Sequence, residues 1–340
     1  MKTIMKSFLT KKTNIVYTIL VASILILLVG YAYYRHESRR IRQDNEHKLS
    51  AIASLKAAQI SEWYQDEIRD AEFISQNASL VEALENRLHN PSEDNRHRLL
   101  QHISAIINEH GYDDTMITTT DGRLLLSSDE QLETMNPVLI KNIIRSVSEK
   151  IPVLIDFYKC SVHHKIHIDL VSPILDENNL PIAVMVFQID PEVFLYPLIQ
   201  SWPLSNKSGE TLIVRQDGDS VMFLNELRHR KNTALNLRIP LTDKEVPAVQ
   251  AVLGYQGIWS GLDYRGGKVV ADIRPIPGTS WFMLAKIDRD ELFEELRSRT
   301  FFTILLILLI IFFITAGLAH LYSYQQRNAV SYTHLTLPTN

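Results

Sequence analysis

The segments Ile189-Asp190-Pro191-Glu192-Val193-Phe194 and Ile287-Asp288-Arg289-Asp290-Glu291-Leu292-Phe293 close two stretches of chain built in the same order. Upstream of each lies a hairpin. Met116 to Thr119 and Arg123 to Ser127 flank Asp121-Gly122, and Thr211 to Arg215 and Ser220 to Leu224 flank Asp217-Gly218. An Asp-Gly pair between short apolar runs is turn chemistry, because glycine accepts the positive φ that a tight hairpin needs. A helix is predicted after each hairpin, about 137–148 and 243–253. Three strands follow it: 153–158, 165–174 and 181–188 in the first unit, and 257–261, 268–275 and 281–287 in the second. Asp176-Glu177-Asn178-Asn179 supplies a turn within the first set. Asp121 and Asp190 are 69 residues apart, and Asp217 and Asp288 are 71 apart. Two tandem α/β (α+β) modules with antiparallel sheets are the simplest reading of this repeat.

Before the repeat the chain reads as helix. No Gly or Pro occurs from Tyr31 to Asn90, and Leu49, Ile52, Ile60, Trp63, Ala71 and Ile74 follow one another at spacings of 3, 8, 3, 8 and 3. These positions form one helical stripe, so a long helix is expected to lie along the modules. A break is expected near Asn77, with Ser79 and Glu82 as the capping box of a second helix that ends before Pro91. A third runs from about 92 to 110 and is closed by Gly111.

Outside these elements stand two uncharged segments of 20 residues, Ile15 to Tyr34 and Thr300 to Ala319. As helices each reaches about 30 Å, the thickness of a bilayer's hydrocarbon layer. Lys2, Lys6, Lys11 and Lys12 give the first segment the basic leader of a signal peptide. Its apolar run is nevertheless longer than the roughly 7–15 residues of such a signal, and no small-residue cleavage site precedes Arg35-His36-Glu37-Ser38, so it reads as an anchor. Arg35, Arg39, Arg40 and Arg42 balance the lysines, and the positive-inside rule does not decide orientation. Long domains cross largely regardless of charge, so residues 1–14 are expected to be a cytoplasmic tail, 15–34 and 300–319 transmembrane helices, and 35–299 exported. No Gly or Pro interrupts Arg289 to Ala316, and Asp288 with Glu291 reads as a capping box, which predicts a stiff connector into the second span.

The 340 residues are 46% hydrophobic with a formal net charge of −4, a balance that points away from nucleic acid. The single cysteine, Cys160, forms no intramolecular disulfide, so packing must stabilise the fold. No phosphate-binding glycine loop, nucleophile elbow or kinase signature is present, and no catalytic residue or cofactor is expected. His163, His164 and His167 hint at zinc or copper, but only Asp169 and Cys160 stand near them, and loop or surface histidines are the preferred reading.

The chain resembles the double Cache sensor domain of bacterial transmembrane receptors over about residues 35–300. The resembling residues include Lys56-Ala57-Ala58-Gln59-Ile60-Ser61-Glu62-Trp63 and Gly209-Glu210-Thr211-Leu212-Ile213-Val214-Arg215 with Asp217-Gly218-Asp219. Asp263-Tyr264-Arg265-Gly266 and Trp281-Phe282-Met283-Leu284-Ala285-Lys286-Ile287-Asp288 match the closing strands. The resemblance implies a helical stalk (35–110), a membrane-distal module (111–200) and a membrane-proximal module (201–288). It also implies a small-molecule ligand, a homodimer in the bacterial cytoplasmic membrane, and no nucleic-acid partner. It is especially similar to the input halves of histidine kinases and diguanylate cyclases that carry PAS domains. A chemotaxis receptor is the alternative, and an enzyme displayed outside the membrane would need a catalytic constellation that the sequence lacks. Residues 320–330 read as the start of a cytoplasmic linker. The uncharged segment 331–340 reads as a non-native tail.

In such modules the sheet face opposite the long helix forms the ligand cavity. Along Lys165 to Leu170, Ile166, Ile168 and Leu170 point one way while His167 and Asp169 point the other. His167 and Asp169, with Asp156 and Tyr158 on the preceding strand, are therefore the candidate ligand contacts in the distal module. The plainer alternative is a solvated sheet face. An Arg-x-Trp-Tyr run typical of amino-acid receptors is not evident, and the ligand class stays open.

Overall fold

A computed structural model describes residues 2–128, 137–160, 165–205 and 207–335. The chain divides into two compact units, 48–288 and the pair of segments 1–47 and 289–340.

In the larger unit two antiparallel sheets follow a helical lead. Helix α1 (Lys2–Ser75), which belongs to this unit from residue 48 on, is followed by α2 (Ala78–His89) and α3 (Glu93–His110). Ser92 caps α3 through its side chain, and Gly111 ends it in the left-handed region at φ 76°, where a side chain would be strained. The cap of α2 differs from the expected Ser79–Glu82 box: the Asn77 side chain accepts from the backbone N–H groups of Ser79 and Leu80. An Asn side chain is short enough to reach those two free amides from the residue just before the helix, so Ser79 is left as a first-turn residue.

The first sheet, in the order β2-β1-β5-β4-β3, comprises β1 (Asp114–Thr118), β2 (Leu124–Ser127), β3 (Val153–Lys159), β4 (Ile166–Leu175) and β5 (Pro181–Ile189). Helix α4 (Pro137–Glu149) packs on one of its faces. The short α5 (Leu195–Gln200), for which the sequence carried no periodic signal, leads on to the second sheet. That sheet, in the order β8-β7-β6-β11-β10-β9, contains β6 (Glu210–Asp217), β7 (Ser220–Phe223), β8 (Arg238–Pro240), β9 (Gly257–Leu262), β10 (Lys268–Pro275) and β11 (Phe282–Asp288). Without β8 the two orders are the same, which is the architecture the sequence repeat implied. The helix expected over 243–253 is only α6 (Pro247–Val252). Pro247 disfavours helical geometry in the residue before it, and Val246 is extended at φ −83°, ψ 124°.

The α1 stripe does what its spacing predicted. Leu49, Ile52, Ala53, Ala57, Ile60, Trp63, Ala71 and Ile74 are all buried. One apolar cluster joins that helix to Ile117, Ile168, Met185 and Phe187 of the first sheet and to Ile213, Met222 and Met283 of the second. Polar ties run along the same helix. Ser50 Oγ donates to Asp272 Oδ2 at 2.6 Å, and Lys56 Nζ donates to the Leu198 and Ile199 carbonyls and to Ser201 Oγ at the end of α5.

The smaller unit is helical. After α7 (Arg289–Leu292) the chain turns at Phe293 and continues as α8 (Glu294–Leu335), so the expected uninterrupted connector is two helices. Helix α8 also runs on into the segment read as a non-native tail, to Leu335. Within it the 25 residues Arg297–Leu321 are long and apolar enough to cross a membrane, with mean hydropathy 2.9 over their most apolar 18-residue window. Arg299 Nη1 donates to Glu37 Oε1 at 2.9 Å within this unit.

Because α1 shares its stripe between both sheets, a cavity beneath it should weaken both together. Ile60→Ala, at a site with no exposed surface, is expected to cost about 2–5 kcal/mol. Urea unfolding of residues 37–296 should show one transition shifted to lower urea. Two separate transitions would mean that the sheets do not depend on a common helix.

Candidate functional site

Burial fixes which sheet face carries chemistry. On β4, Ile166, Ile168, Leu170 and Ile174 join the cluster under α1, while Val171 joins Leu139 and Ile143 of α4 together with Met116, Val153, Ile155, Val184 and Val186. Strand alternation therefore puts His167 and Asp169 on the α4 face, as expected from their spacing. Pairing then brings more polar residues into line. Asp114 opposes Gln188, and Gln188 opposes Asp169, so three polar side chains form a row across β1, β5 and β4. Tyr158 opposes His167 on β3.

The row is buried. Asp169 and His167 are 0% exposed, Gln188 3% and Asp114 5%. Tyr158 Oη donates to Asp169 Oδ2 at 2.7 Å, and Gln188 Nε2 donates to Tyr158 Oη at 3.3 Å. Asp114 accepts from the Thr115 N–H at 2.6 Å and from the hydroxyls of Ser127 and Ser128. His167 Nδ1 stands 3.8 Å from Asp113 Oδ2. Asp169 Oδ1 is buried with no hydrogen-bond partner among the described residues. Burial pushes the Asp169 carboxyl up to about 7; the bond from Tyr158 and the nearby Gln188 amide oppose this, and the nearby Asp114 charge adds to it. Burial, and then the Asp169 charge, raise the Tyr158 hydroxyl as well. Among the described residues no lysine or arginine pairs with either Asp114 or Asp169. Two carboxylates out of water without a cation cost free energy, which a positively charged guest would recover.

The fourth sequence candidate, Asp156, is not brought to this row. Ile155 pairs with Asp169 and Tyr158 with His167, so Asp156 and Phe157 together oppose one residue of β4 and form a β-bulge. The bulge breaks the alternation that placed Asp156 beside Tyr158. Asp156 instead meets the second sheet: its carboxylate pairs with Arg215 and accepts from Trp281 Nε1 at 2.8 Å. Phe157 packs alongside, with its ring centroid 4.9 Å from Trp281, and Tyr196 Oη donates to the Leu224 carbonyl at 2.7 Å. Asp114 and Gln188 were missed because each opens or ends an apolar strand and becomes a site residue only through pairing. The signal available was their alternation with Met116, Val184 and Val186. Of the histidines weighed as metal ligands, His163 and His164 lie outside the described residues. Among the described residues no group of three His, Cys, Asp or Glu gathers as a metal site.

A family model described as a Cache domain, of the double type, matches residues 37–296. This chain belongs to the double Cache family. Solved structures similar to it include the periplasmic sensory domain of the Campylobacter jejuni chemoreceptor Tlp1, at TM-score 0.56 and 17% identity, covering 75% of this chain and 98% of that one. The ligand-binding domain of the Pseudomonas aeruginosa amino-acid chemoreceptor PctB, in complex with L-Arg, aligns at TM-score 0.52 and 15% identity, covering 74% and 98%. That of the Pseudomonas fluorescens chemoreceptor CtaA, in complex with L-isoleucine, aligns at 0.51 and 14%, covering 76% and 98%. At these identities the likeness establishes the shared fold. Among curated proteins none matches the chain.

In this double Cache fold Asp156 has a mechanical position, two residues before Tyr158 and bonded to the second sheet. Asp156→Ala leaves the Arg215 guanidinium and the Trp281 indole N–H short of an acceptor and should cost about 1–3 kcal/mol. In denaturant titrations Asp156→Ala with Arg215→Ala should destabilise less than the sum of the single changes. Strict additivity would remove the tie between the sheets.

Proposed function

We propose that this chain is the extracytoplasmic input of a bacterial membrane receptor, that its first lobe binds a small ligand through an ammonium group, and that the signal passes to a cytoplasmic output. The observation that carries the ligand reading is the buried Asp169 oxygen without a hydrogen-bond partner among the described residues, in a row with two carboxylates and no described lysine or arginine beside them. Tyr158, His167 and Gln188 complete the polar wall, and α4 closes it with Leu139 and Ile143. The ligands in the PctB and CtaA complexes, L-Arg and L-isoleucine, both carry an ammonium group.

The apolar helix Arg297–Leu321, with the uncharged segment 15–34, supports two membrane spans around an exported domain, in the bacterial inner membrane. In this arrangement the first lobe is the membrane-distal module (111–200) and the second the proximal one (201–288). A homodimer is the natural unit for passing a shift of the second span across the bilayer. A histidine kinase of a two-component system is the output we favour, with a diguanylate cyclase as its variant. The chemoreceptors among the similar structures support a chemotaxis receptor as the second reading.

Membrane topology is testable directly. Reporters fused after Arg327 and within the Asn178 turn should lie on opposite sides of the membrane, and two cytoplasmic reporters would end the sensor reading.

Ligand recognition predicts a pH dependence of a definite sign. The unliganded Asp169 carboxyl is held up to about 7, and an ammonium guest favours its ionised form. Binding below that pH must expel a proton, so affinity should rise about tenfold per pH unit between 5 and 7 and level off above. A thermal-shift screen of residues 37–296 against amino acids, amines and organic acids should yield an ammonium-bearing hit. At 100 times its Kd, such a hit stabilises by about 2.7 kcal/mol. Calorimetry of that hit should show the pH slope in the native domain and none in Asp169→Asn. Unchanged affinity in both Asp169→Ala and His167→Ala would remove the site assignment and leave the family intact.

A further inference from the structure

The second lobe repeats the row of the first, with a different outcome. Matching the sheet orders sets β1 on β6, β5 on β11, β4 on β10 and β3 on β9. Asp114 opens β1 and opposes Gln188, with Met116 opposing Val186 two residues on; Glu210 opens β6 and opposes Lys286, with Leu212 opposing Leu284 two residues on. Gln188 then opposes Asp169, and Lys286 opposes Ala271. Leu212 and Leu284 pack with Val249 and Ala251 of α6, as Met116 and Val186 pack with α4, so both rows lie on the helix-covered face away from α1. The polar row of the first lobe, Asp114–Gln188–Asp169, thus corresponds to Glu210–Lys286–Ala271 in the second.

Lys286 is 3% exposed and its ammonium is enclosed. Nζ lies 2.9 Å from Glu210 Oε2, 2.8 Å from Asp263 Oδ2, and 4.7 Å from the centroid of the Tyr264 ring. A cation between two carboxylates and over an aromatic face is how an ammonium guest is held. The walls do not depend on the lysine for their placement. Tyr264 Oη donates to Glu210 Oε2 at 3.0 Å, and the Arg228 N–H donates to Glu210 Oε1. The Asp263 carboxylate accepts from the backbone N–H groups of Arg265 and Gly267 at 2.8 and 3.0 Å and from Arg265 Nε at 2.6 Å.

We infer that the second lobe contains a primary-alkylammonium site, formed by Glu210, Asp263 and the Tyr264 ring, which the chain fills itself with the tethered ammonium of Lys286. The lobe is in this sense permanently occupied, whereas the matching row of the first lobe has no lysine or arginine beside it among the described residues. The cage stands on its own geometry; only its contrast with the first lobe rests on the ligand reading proposed above.

Chemical rescue tests the inference without any first-lobe ligand. Lys286→Ala in the full chain, purified in detergent, removes three methylene groups and the ammonium, a space that matches n-propylammonium. Leaving Glu210 buried without its cation, and Asp263 with Arg265 alone, should lower Tm by about 10 °C. Millimolar n-propylammonium should restore about half of that loss in a saturable manner, methylammonium less, and sodium or tetramethylammonium at equal ionic strength none. Adding Glu210→Gln to Lys286→Ala should abolish the restoration. Where the alanine variant does not accumulate, Lys286→Ser, prepared with and without n-propylammonium throughout, gives the same distinction through amine-dependent yield of folded protein. No restoration by any primary amine, or equal restoration by sodium and tetramethylammonium, would overturn the inference and leave Lys286 as an ordinary buried ion pair.

Discussion

The constraint on which the structure depends is the apolar stripe of α1, which must be buried and has two sheets to bury it. Ile60 and Ala53, without exposed surface, mark a helix that gives nearly everything on one side to packing. Each sheet thereby has one face committed to α1 or its neighbouring apolar cluster, and that face can carry little polar chemistry. Functional groups are left the opposite faces, under α4 and α6. The same stripe gives the two lobes a common mechanical element, and Asp156 adds a second link through Arg215 and Trp281.

On those opposite faces both lobes face the same electrostatic problem. A carboxylate at the head of an interior strand, Asp114 of β1 or Glu210 of β6, is buried on a helix-covered face. The second lobe answers with Lys286 from the next strand. The first has Gln188 there, a group that offers hydrogen bonds and no charge, and a further carboxylate, Asp169, whose proton affinity is raised by its burial and then by the Asp114 charge. A tandem repeat can diverge in this way without changing its fold, because the apolar residues that specify register, such as Met116 with Val186 and Leu212 with Leu284, are kept.

Much of this was legible in the sequence where local chemistry decides. The Asp-Gly turns, the α1 stripe and the alternation of His167 and Asp169 with Ile166, Ile168 and Leu170 each reflect a single short-range rule, and the structure follows them. What sequence reading missed depends on contacts between distant segments. The bulge at Asp156–Phe157 moves Asp156 off the face that simple alternation gave it. Asp114 and Gln188 become neighbours of Asp169 only through strand register. Asn77 replaces Ser79 as a cap, and Pro247 shortens α6, both matters of a residue or two within an element whose existence was foreseen.

The proposed contrast is that the polar row of the first lobe takes its cation from the ligand, while the second lobe carries its own. A co-crystal structure of residues 37–296 with a ligand found by screening tests it most directly. The account predicts density in the first lobe alone, with the ligand nitrogen within hydrogen-bond distance of Asp169 Oδ1, and Lys286 unmoved between Glu210 and Asp263. A ligand seated in the second lobe with Lys286 displaced, or one bound in the first lobe with no polar contact to Asp169, would contradict it.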